Sequence, residues 1–200
     1  MPDEILRPFA ARKGHFRFES GYHGDLWLEI PPAYVRPRSL RPYAARLARL
    51  LEAHRVEAVC GPLVEGALLA QMVAEKLDVE FYFAEQFIRP AANDLYPVGY
   101  RIPAALRDLI RGKRTAVVDD VINAGSAVRG AVEDLETCGA QLVGIGSLLI
   151  LGLHASAFAA SKRVPLETLS HLAKNDLWEP SSCPLCASGV PLEGSSDPTR

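Results

Sequence analysis

The chain has 200 residues, of which 48% are hydrophobic, and a formal net charge of −2. This length suits one compact α/β domain that buries about 70% of the surface of its unfolded chain. The near-neutral charge excludes a strongly basic surface for nucleic acid or anionic membranes, and no apolar run reaches the roughly 20 residues of a membrane-spanning helix.

The first residues, Met1-Pro-Asp-Glu4, are acidic and differ from the basic start and apolar stretch of a secretory signal. The four cysteines do not form the regular spacing of a disulfide framework. Because reduced cysteines are typical of the reducing compartments of the cell, we expect a cytoplasmic protein.

Residues 14–30 predict a β-hairpin, since aromatic residues alternate on both sides of a turn region between Gly21 and Gly24. Pro31 and Pro32 should end it. A helix is then predicted from Ser39, as its N-cap, to about His54, with an apolar stripe that comprises Leu40, Tyr43, Leu47, Leu50 and Leu51.

From there strands and helices alternate along the chain. Strands are predicted at 56–60, 80–84, 115–118 and 141–151, and helices at 64–77 and 126–138, the latter ended by Gly139. Strands separated by helices predict a parallel sheet with crossover connections, whose ligands gather at the carboxyl ends of the strands.

The first of these strands leads into the loop Gly61-Pro-Leu-Val-Glu-Gly66. Gly61, Pro62 and Gly66 make a tight turn before a helix, where backbone amides can hold an anion, although an ordinary strand-to-helix turn has the same composition. Glu65 is unusual beside a bound diphosphate. It should either face a Mg²⁺ ion or point away from the site.

The most informative segment is Thr115–Ala127. An apolar strand ends in the carboxylates Asp119 and Asp120, and a small-residue loop then opens a helix. Paired acids suit sugar hydroxyls, and backbone amides at a helix N-terminus suit a phosphate. A phosphorylated pentose therefore fits this site, with the phosphate held by the loop residues Asn123, Ala124, Gly125, Ser126 and Ala127.

Near the carboxyl end, Cys183 and Cys186 form a Cys-x-x-Cys pair. By itself the pair is compatible with half of a zinc site, a redox dithiol or a reduced pair in a packed turn. His154 and His171 could complete a zinc site, but neither has a ligand-like spacing. A reduced pair without metal is the interpretation we favour, within a surface tail at 181–200 that is rich in proline, serine and glycine.

These motifs resemble a known family. The segment from Thr115 to Ala127 is similar to the signature with which type I phosphoribosyltransferases bind 5-phosphoribosyl-1-diphosphate (PRPP). The opening Gly14-His-Phe-Arg-Phe-Glu-Ser-Gly21 and the tail Leu177-Trp-Glu-Pro-Ser-Ser-Cys-Pro-Leu-Cys186 resemble the orotate phosphoribosyltransferase branch. The resemblance covers residues 14 to 192.

The resemblance implies an architecture. The fold is expected to be the α/β type I phosphoribosyltransferase fold, with a parallel sheet, helices on both faces and a small N-terminal β-hairpin hood. One domain spans 1–200, with the hood at 14–38 and the core sheet at 55–152. A homodimer is expected.

The resemblance also implies roles for residues. The enzyme joins orotate to PRPP in the presence of Mg²⁺ and releases orotidine 5'-monophosphate and diphosphate. Asp119 and Asp120 face the ribose, residues 123–127 hold its 5'-phosphate, and Gly61, Pro62 and Gly66 hold the diphosphate. The hood residues Phe18, Ser20 and Gly21 contact the base.

A mobile segment, residues 86–102, is expected to close over the site. It contains neither the lysine nor the histidine that orotate enzymes usually carry there, so Arg89 and Arg101 are the local cations that could stabilise the leaving diphosphate.

Three alternatives remain open. Glu19 occupies a position where the orotate family often has a lysine, which favours transfer to another base. The lysine-free lid is compatible with a PRPP-binding regulator that has lost catalysis. A zinc-dependent binding module is the third alternative.

Overall fold

Two β-sheets organise the part of the chain that the structure, a computed structural model, describes: residues 9–89, 95–173 and 176–193. The strands are β1 (Ala10–Arg17), β2 (His23–Glu29), β3 (Ala58–Pro62), β4 (Glu80–Ile88), β5 (Val98–Arg101), β6 (Arg114–Ile122), β7 (Gln141–Leu151), β8 (Leu166–Leu172) and β9 (Leu177–Trp178). The helices are α1 (Pro31–Tyr34), α2 (Arg41–Glu52), α3 (Glu65–Leu77), α4 (Ser126–Thr137), α5 (His154–Lys162) and α6 (Pro184–Ala187).

The larger sheet has six strands in the order β5-β4-β3-β6-β7-β8, and every neighbouring pair is parallel except β4 and β5. The predicted parallel α/β fold is thus confirmed. The sheet extends to β8, past the expected boundary at residue 152. The antiparallel edge strand β5 was not predicted, because four residues next to Pro97 carry too little periodicity to be recognised.

Helices cover both faces of this sheet, and the side chains of β6 alternate between them. Val117 belongs to the core formed with α4 and α5, whereas Ala116 and Val118 belong to the core formed with α2 and α3. Burial on both faces explains why β6 is an uninterrupted apolar run before its acids.

The predicted start of α2 at Ser39 is wrong. Ser39 ends a short 3-10 turn, and the helix begins at Arg41 with Leu40 at its N-cap and no side-chain cap. Pro42 in the first turn has no backbone N–H to satisfy, so a side-chain cap contributes less at this end. The end of α4 is confirmed, since Gly139 follows it with φ 80°.

The predicted N-terminal hairpin is confirmed as β1 and β2, and the carboxyl-terminal part of the chain adds the third strand, β9, to it. Cys183 is therefore buried, contrary to the expected surface tail. Residues 194–200 of that tail, and Met1 to Glu4, lie outside the described residues. None of the described helices has the length and hydropathy to cross a membrane.

Candidate active site

A cavity of about 490 Å³ lies between the hairpin and the carboxyl end of β6. The hairpin side comprises Phe18, Glu19, Ser20 and residues 26–31, and the sheet side comprises Glu65, residues 119–127 and Leu151. This is where an α/β sheet is expected to bind its ligand, because the loops that follow parallel strands gather at one edge.

The two acids lie at the end of β6 and are almost fully buried, with Asp119 8% and Asp120 6% exposed. The Val121 amide donates to Asp120 Oδ1 at 2.6 Å, and the Asp120 amide donates to Asp119 Oδ1 at 3.1 Å. The Ser147 hydroxyl on β7 donates to the Asp120 carbonyl oxygen at 2.9 Å, which anchors this end of the strand.

Burial raises the pKa of Asp119 well above its usual range, and the neighbouring charge of Asp120 raises it further. Burial also raises the pKa of Asp120, to about 7, helped by the charge of Glu65. Among the described residues, Asp120 Oδ2 has no hydrogen-bond partner of good geometry, and the buried Tyr34 hydroxyl is the neighbouring donor that interacts with this carboxylate. A ligand that brings hydroxyl donors or a cation would therefore stabilise this pair.

The loop after β6 turns directly into α4. Gly125 is the N-cap of this helix and has a left-handed conformation with φ 80°, which a side chain would strain. The amides of a first helical turn lack intrahelical acceptors, and residues 123–127 all line the cavity. This end of the cavity has the features of a phosphate site.

A smaller cavity of about 170 Å³ continues the site towards the loop after β3. Pro62 and Gly66, the residues predicted to hold the diphosphate, line it, and Glu65 lines both cavities. Of the two orientations predicted for Glu65, the structure shows the one that faces the site. A Cβ at Gly66 would collide with Asp119 Oδ1, so only glycine lets α3 approach the acid pair.

Two predicted residues have structural roles outside the cavity lining. Gly61 packs closely against Gly66 and Ala67, which lets β3 and α3 meet. Gly21 turns the hairpin with φ 84°. Of the predicted base contacts, Phe18 and Ser20 do line the larger cavity, and the Phe18 ring stacks on Trp27 with centroids 6.1 Å apart.

The structure does not bring Arg89 and Arg101 to either cavity. Arg89 pairs with Glu133 at 2.7 Å, and the Arg101 guanidinium lies 4.8 Å from the centroid of the Phe87 ring. The central part of the predicted lid, residues 90–94, lies outside the described residues. The prediction of a mobile segment over the whole of 86–102 is wrong, because residues 86–88 at the end of β4 pair with residues 98–100 of β5 in the central sheet.

Glu19 has a structural role that sequence reasoning missed. Its carboxylate accepts hydrogen bonds from the Ser126 hydroxyl at 2.8 Å, the Tyr100 hydroxyl at 2.9 Å and the Gln86 side-chain amide at 3.2 Å. It thereby joins the hairpin to α4, β5 and β4. The hairpin motif had drawn attention to Glu19, but its partners are distant in sequence.

The donor set of the two cavities fits Mg²⁺. Carboxylates from Glu19, Glu65, Asp119 and Asp120 line both of them. Mg²⁺ prefers oxygen ligands and is commonly held by one or two carboxylates together with substrate phosphates. A divalent cation would also offset the mutual repulsion that raises the pKa of the buried acids.

The cysteine pair does not pack against His154 or His171. The His171 ring contacts the Gly152 carbonyl oxygen at 2.6 Å. Instead, His15 and His23 of the hairpin lie beside the two thiols. Sequence analysis considered only His154 and His171 as partners of the cysteine pair.

Known proteins share this sequence pattern and fold. Residues 39–169 match the family described as "Phosphoribosyl transferase domain". An orotate phosphoribosyltransferase of Thermus thermophilus is 32% identical over 187 residues, which cover 94% of each chain.

A crystal structure of adenine phosphoribosyltransferase from Thermoanaerobacter pseudethanolicus matches with TM-score 0.66 and 17% identity, over 86% of this chain and 100% of the other. One of orotate phosphoribosyltransferase from Aeropyrum pernix matches with TM-score 0.63 and 22% identity, over 86% and 94%. The acid pair, the small-residue loop 123–127 and the fold agree with this match, and this chain belongs to the phosphoribosyltransferase family.

Proposed function

We propose that this protein is an orotate phosphoribosyltransferase. It transfers the 5-phosphoribosyl group of PRPP to orotate, and it releases orotidine 5'-monophosphate and diphosphate. The observation that carries this proposal is the buried pair Asp119–Asp120 next to the α4 N-terminus, within one cavity under the hairpin. The relatives of similar length that carry the orotate name support the choice of base.

The acid pair would bind and polarise the ribose. Asp119 and Asp120 accept hydrogen bonds from the 2'- and 3'-hydroxyls, which supplies the donor of good geometry that Asp120 Oδ2 lacks. As the bond to diphosphate breaks, positive charge develops on the ribose ring. Two carboxylates preorganised beside that ring stabilise the charge without rearrangement.

The two ends of PRPP would occupy the two cavities. The loop 123–127 holds the 5'-phosphate and fixes the ribose for attack by the base. The loop 62–66 faces the diphosphate, and Glu65 and Asp119 would hold Mg²⁺ there. When bound, Mg²⁺ neutralises charge on the diphosphate and so makes it a better leaving group.

The hood would receive the base. Phe18 and Ser20 line the cavity opposite the acid pair, and the Ser20 hydroxyl is buried without a hydrogen-bond partner in the described chain. A planar heterocycle beside Phe18 that hydrogen-bonds to Ser20 would satisfy both groups.

We also propose a cytoplasmic homodimer. The four cysteines are free, which suits a reducing compartment. Arg89 and Arg101 lie away from the cavity of their own chain, which supports an arrangement in which these two arginines serve the site of the partner subunit.

A base-panel assay tests the reaction. Purified protein with saturating PRPP and Mg²⁺ is offered orotate, uracil, adenine, guanine and hypoxanthine, and diphosphate release is followed. We expect turnover with orotate. Turnover with another base and none with orotate would refute the choice of base, and PRPP binding without release for any base would indicate a regulator.

The same assay tests the acid pair. The Asp120→Asn variant keeps the shape of the side chain but loses its charge, and we expect kcat/KM to fall by about 10²-fold or more. Asp108→Asn is the matched control, because its exposed carboxylate pairs with Arg111 on the surface. Equal activities of the two variants would exclude Asp120 from the reaction.

A further inference from the structure

Four potential metal ligands converge where the hairpin meets the carboxyl-terminal part of the chain, and none of them lines either cavity. His15 is on β1, His23 begins β2, and Cys183 and Cys186 lie at the N-cap and in the single turn of α6. The ligand atoms of all four lie within 4.8 Å of one another.

Strand pairing explains why residues so far apart in sequence meet. β1 and β2 are antiparallel, and an irregularity in register between Lys13 and Phe16 accompanies His15. β9 then pairs with β2, with His23 opposite Trp178, which delivers the following Cys-x-x-Cys turn to the same place.

We propose that these residues, His15, His23, Cys183 and Cys186, bind one structural Zn²⁺ ion. A tetrahedral Zn²⁺, with bonds of about 2.3 Å to sulfur and about 2.0–2.1 Å to nitrogen, holds its ligand atoms about 3.3–3.8 Å apart. His15 Nε2 lies 3.1 Å from His23 Nδ1, 3.4 Å from Cys183 Sγ and 3.7 Å from Cys186 Sγ. Cys186 Sγ lies 3.3 Å from His23 Nδ1. These four of the six separations approximate a zinc tetrahedron, and the other two are no longer than 4.8 Å.

The contacts of His15 leave its Nε2 atom free to bind the proposed metal ion. His15 Nδ1 lies 2.8 Å from the Val190 carbonyl oxygen. A carbonyl can only accept a hydrogen bond, so Nδ1 carries the proton and a neutral His15 has a lone pair on Nε2, the atom that faces the thiols. A backbone carbonyl behind a histidine is a common outer-shell arrangement of zinc sites.

The ligand set indicates the metal and its role. Two imidazoles and two thiolates form a Cys₂His₂ set, which suits Zn²⁺ and is typical of structural sites with no open position for catalysis. His15, His23 and Cys183 are buried, while Cys186 is exposed and gives the ion a route of entry. Binding releases the two thiol protons to solvent.

The ion would fasten the hood to the carboxyl-terminal part of the chain. Its ligands come from residues 15 to 186, so it closes a very long loop, and it adds to the two residue pairs that join β2 to β9. The residues between the two histidines include Phe18, Glu19 and Ser20, which line the large cavity. The ion therefore holds the hood in position over the site.

Metal analysis of the tag-free, full-length protein tests this proposal. We expect about one Zn²⁺ per chain after gel filtration, and the visible bands of a tetrahedral thiolate-bound centre after replacement by Co²⁺. Absence of stoichiometric zinc together with absence of these cobalt bands would overturn the proposal.

Substitutions at the proposed ligands test where the metal ion binds. Cys183→Ser and His15→Ala should each weaken zinc binding by more than about tenfold, the loss typical of removing even an outer-shell partner. Cys138→Ala and His171→Gln are the matched controls and should keep the full metal content. Loss of zinc in both controls, or its retention in both ligand variants, would place the ion elsewhere. Because the cobalt titration uses the unmodified protein, the test does not depend on the folding of any variant.

Discussion

Two buried carboxylates, Asp119 and Asp120, destabilise the ligand-free protein. Asp119 and Asp120 sit at the end of an apolar strand with little water, and burial raises the pKa of both. A protein that keeps such a pair has a destabilised empty site that only a ligand with hydroxyls or positive charge relieves. This is the usual conflict between stability and activity at a binding site.

The raised pKa of Asp120 predicts a pH-dependent stability difference. With a pKa of about 7 in the folded state and 3.8 as the ordinary value, the folded state binds more protons between these limits. The contribution of Asp120 to the free energy of unfolding is present at low pH and is lost as the pH rises through about 7. We therefore expect Asp120→Asn to raise the Tm of the ligand-free protein at about pH 8 and to have a smaller effect at about pH 5.

Thermal unfolding of both proteins across this pH range measures the difference. In a domain of this size, 1 kcal/mol corresponds to about 2–4 °C in Tm. Asp108→Asn serves again as the control, since its carboxylate is exposed. A Tm difference between the Asp120 variant and the unmodified protein that shrinks as the pH rises would contradict the assignment.

Among the elements, β6, α3 and α4 define the site because each ends or begins at the same edge of the sheet. Sequence periodicity predicted α3 and α4 to within one residue at each end, since apolar spacing and Gly139 are local signals. The predicted β6 stopped at Val118, whereas the strand runs on to Ile122 and carries both acids. The reason is that charged residues interrupt an apolar pattern even where the backbone remains extended.

The close approach of α3 to the acids predicts that Gly66 cannot be enlarged. Alanine normally stabilises a helix relative to glycine by about 1 kcal/mol, but a methyl group here would displace Asp119. We expect Gly66→Ala to lower kcat/KM more than about tenfold with little change in secondary structure, as small displacements at a reacting centre are costly.

The control for this steric effect is Gly144→Ala on β7. A Cβ at Gly144 would lie 3.7 Å from its nearest neighbours, which is ordinary contact. Activity assays and circular dichroism on both variants separate a local clash from a general effect of alanine. Full activity of Gly66→Ala would show that the acid pair tolerates the methyl group.

For the molecule as a whole, the positions of the lid arginines bear on the proposed dimer. Arg89 and Arg101 make contacts away from the cavity of their own chain. If these two arginines act on the partner subunit, catalysis depends on assembly, and neither subunit is complete by itself.

Mixing two defective variants tests this arrangement. Asp120→Asn is combined with an Arg89→Ala/Arg101→Ala double variant under conditions of subunit exchange. We expect recovery to about a quarter of the wild-type rate, because random mixing makes half of the dimers mixed and each of these carries one intact site. A mixture no more active than its separate parents would contradict shared sites, and full activity of the arginine double variant alone would exclude a role for either arginine.

Sequence alone predicted the chemistry that we propose for the site at the end of β6. The acid pair, the small-residue loop and the helix that follows are contiguous, so their order in the chain is also their order in space. The same locality made the parallel sheet predictable, since alternating strands and helices leave few other arrangements.

Only the tertiary structure decided what distant segments do together. In the folded chain Glu65 lines the site, and Glu19 accepts hydrogen bonds from three other elements. Arg89, which was predicted to act in the site, instead pairs with Glu133. Above all, the tertiary structure brought His15 and His23 to a cysteine pair that is 160 or more residues away in sequence. Strand pairing brings such residues together although no short-range motif in the sequence links them.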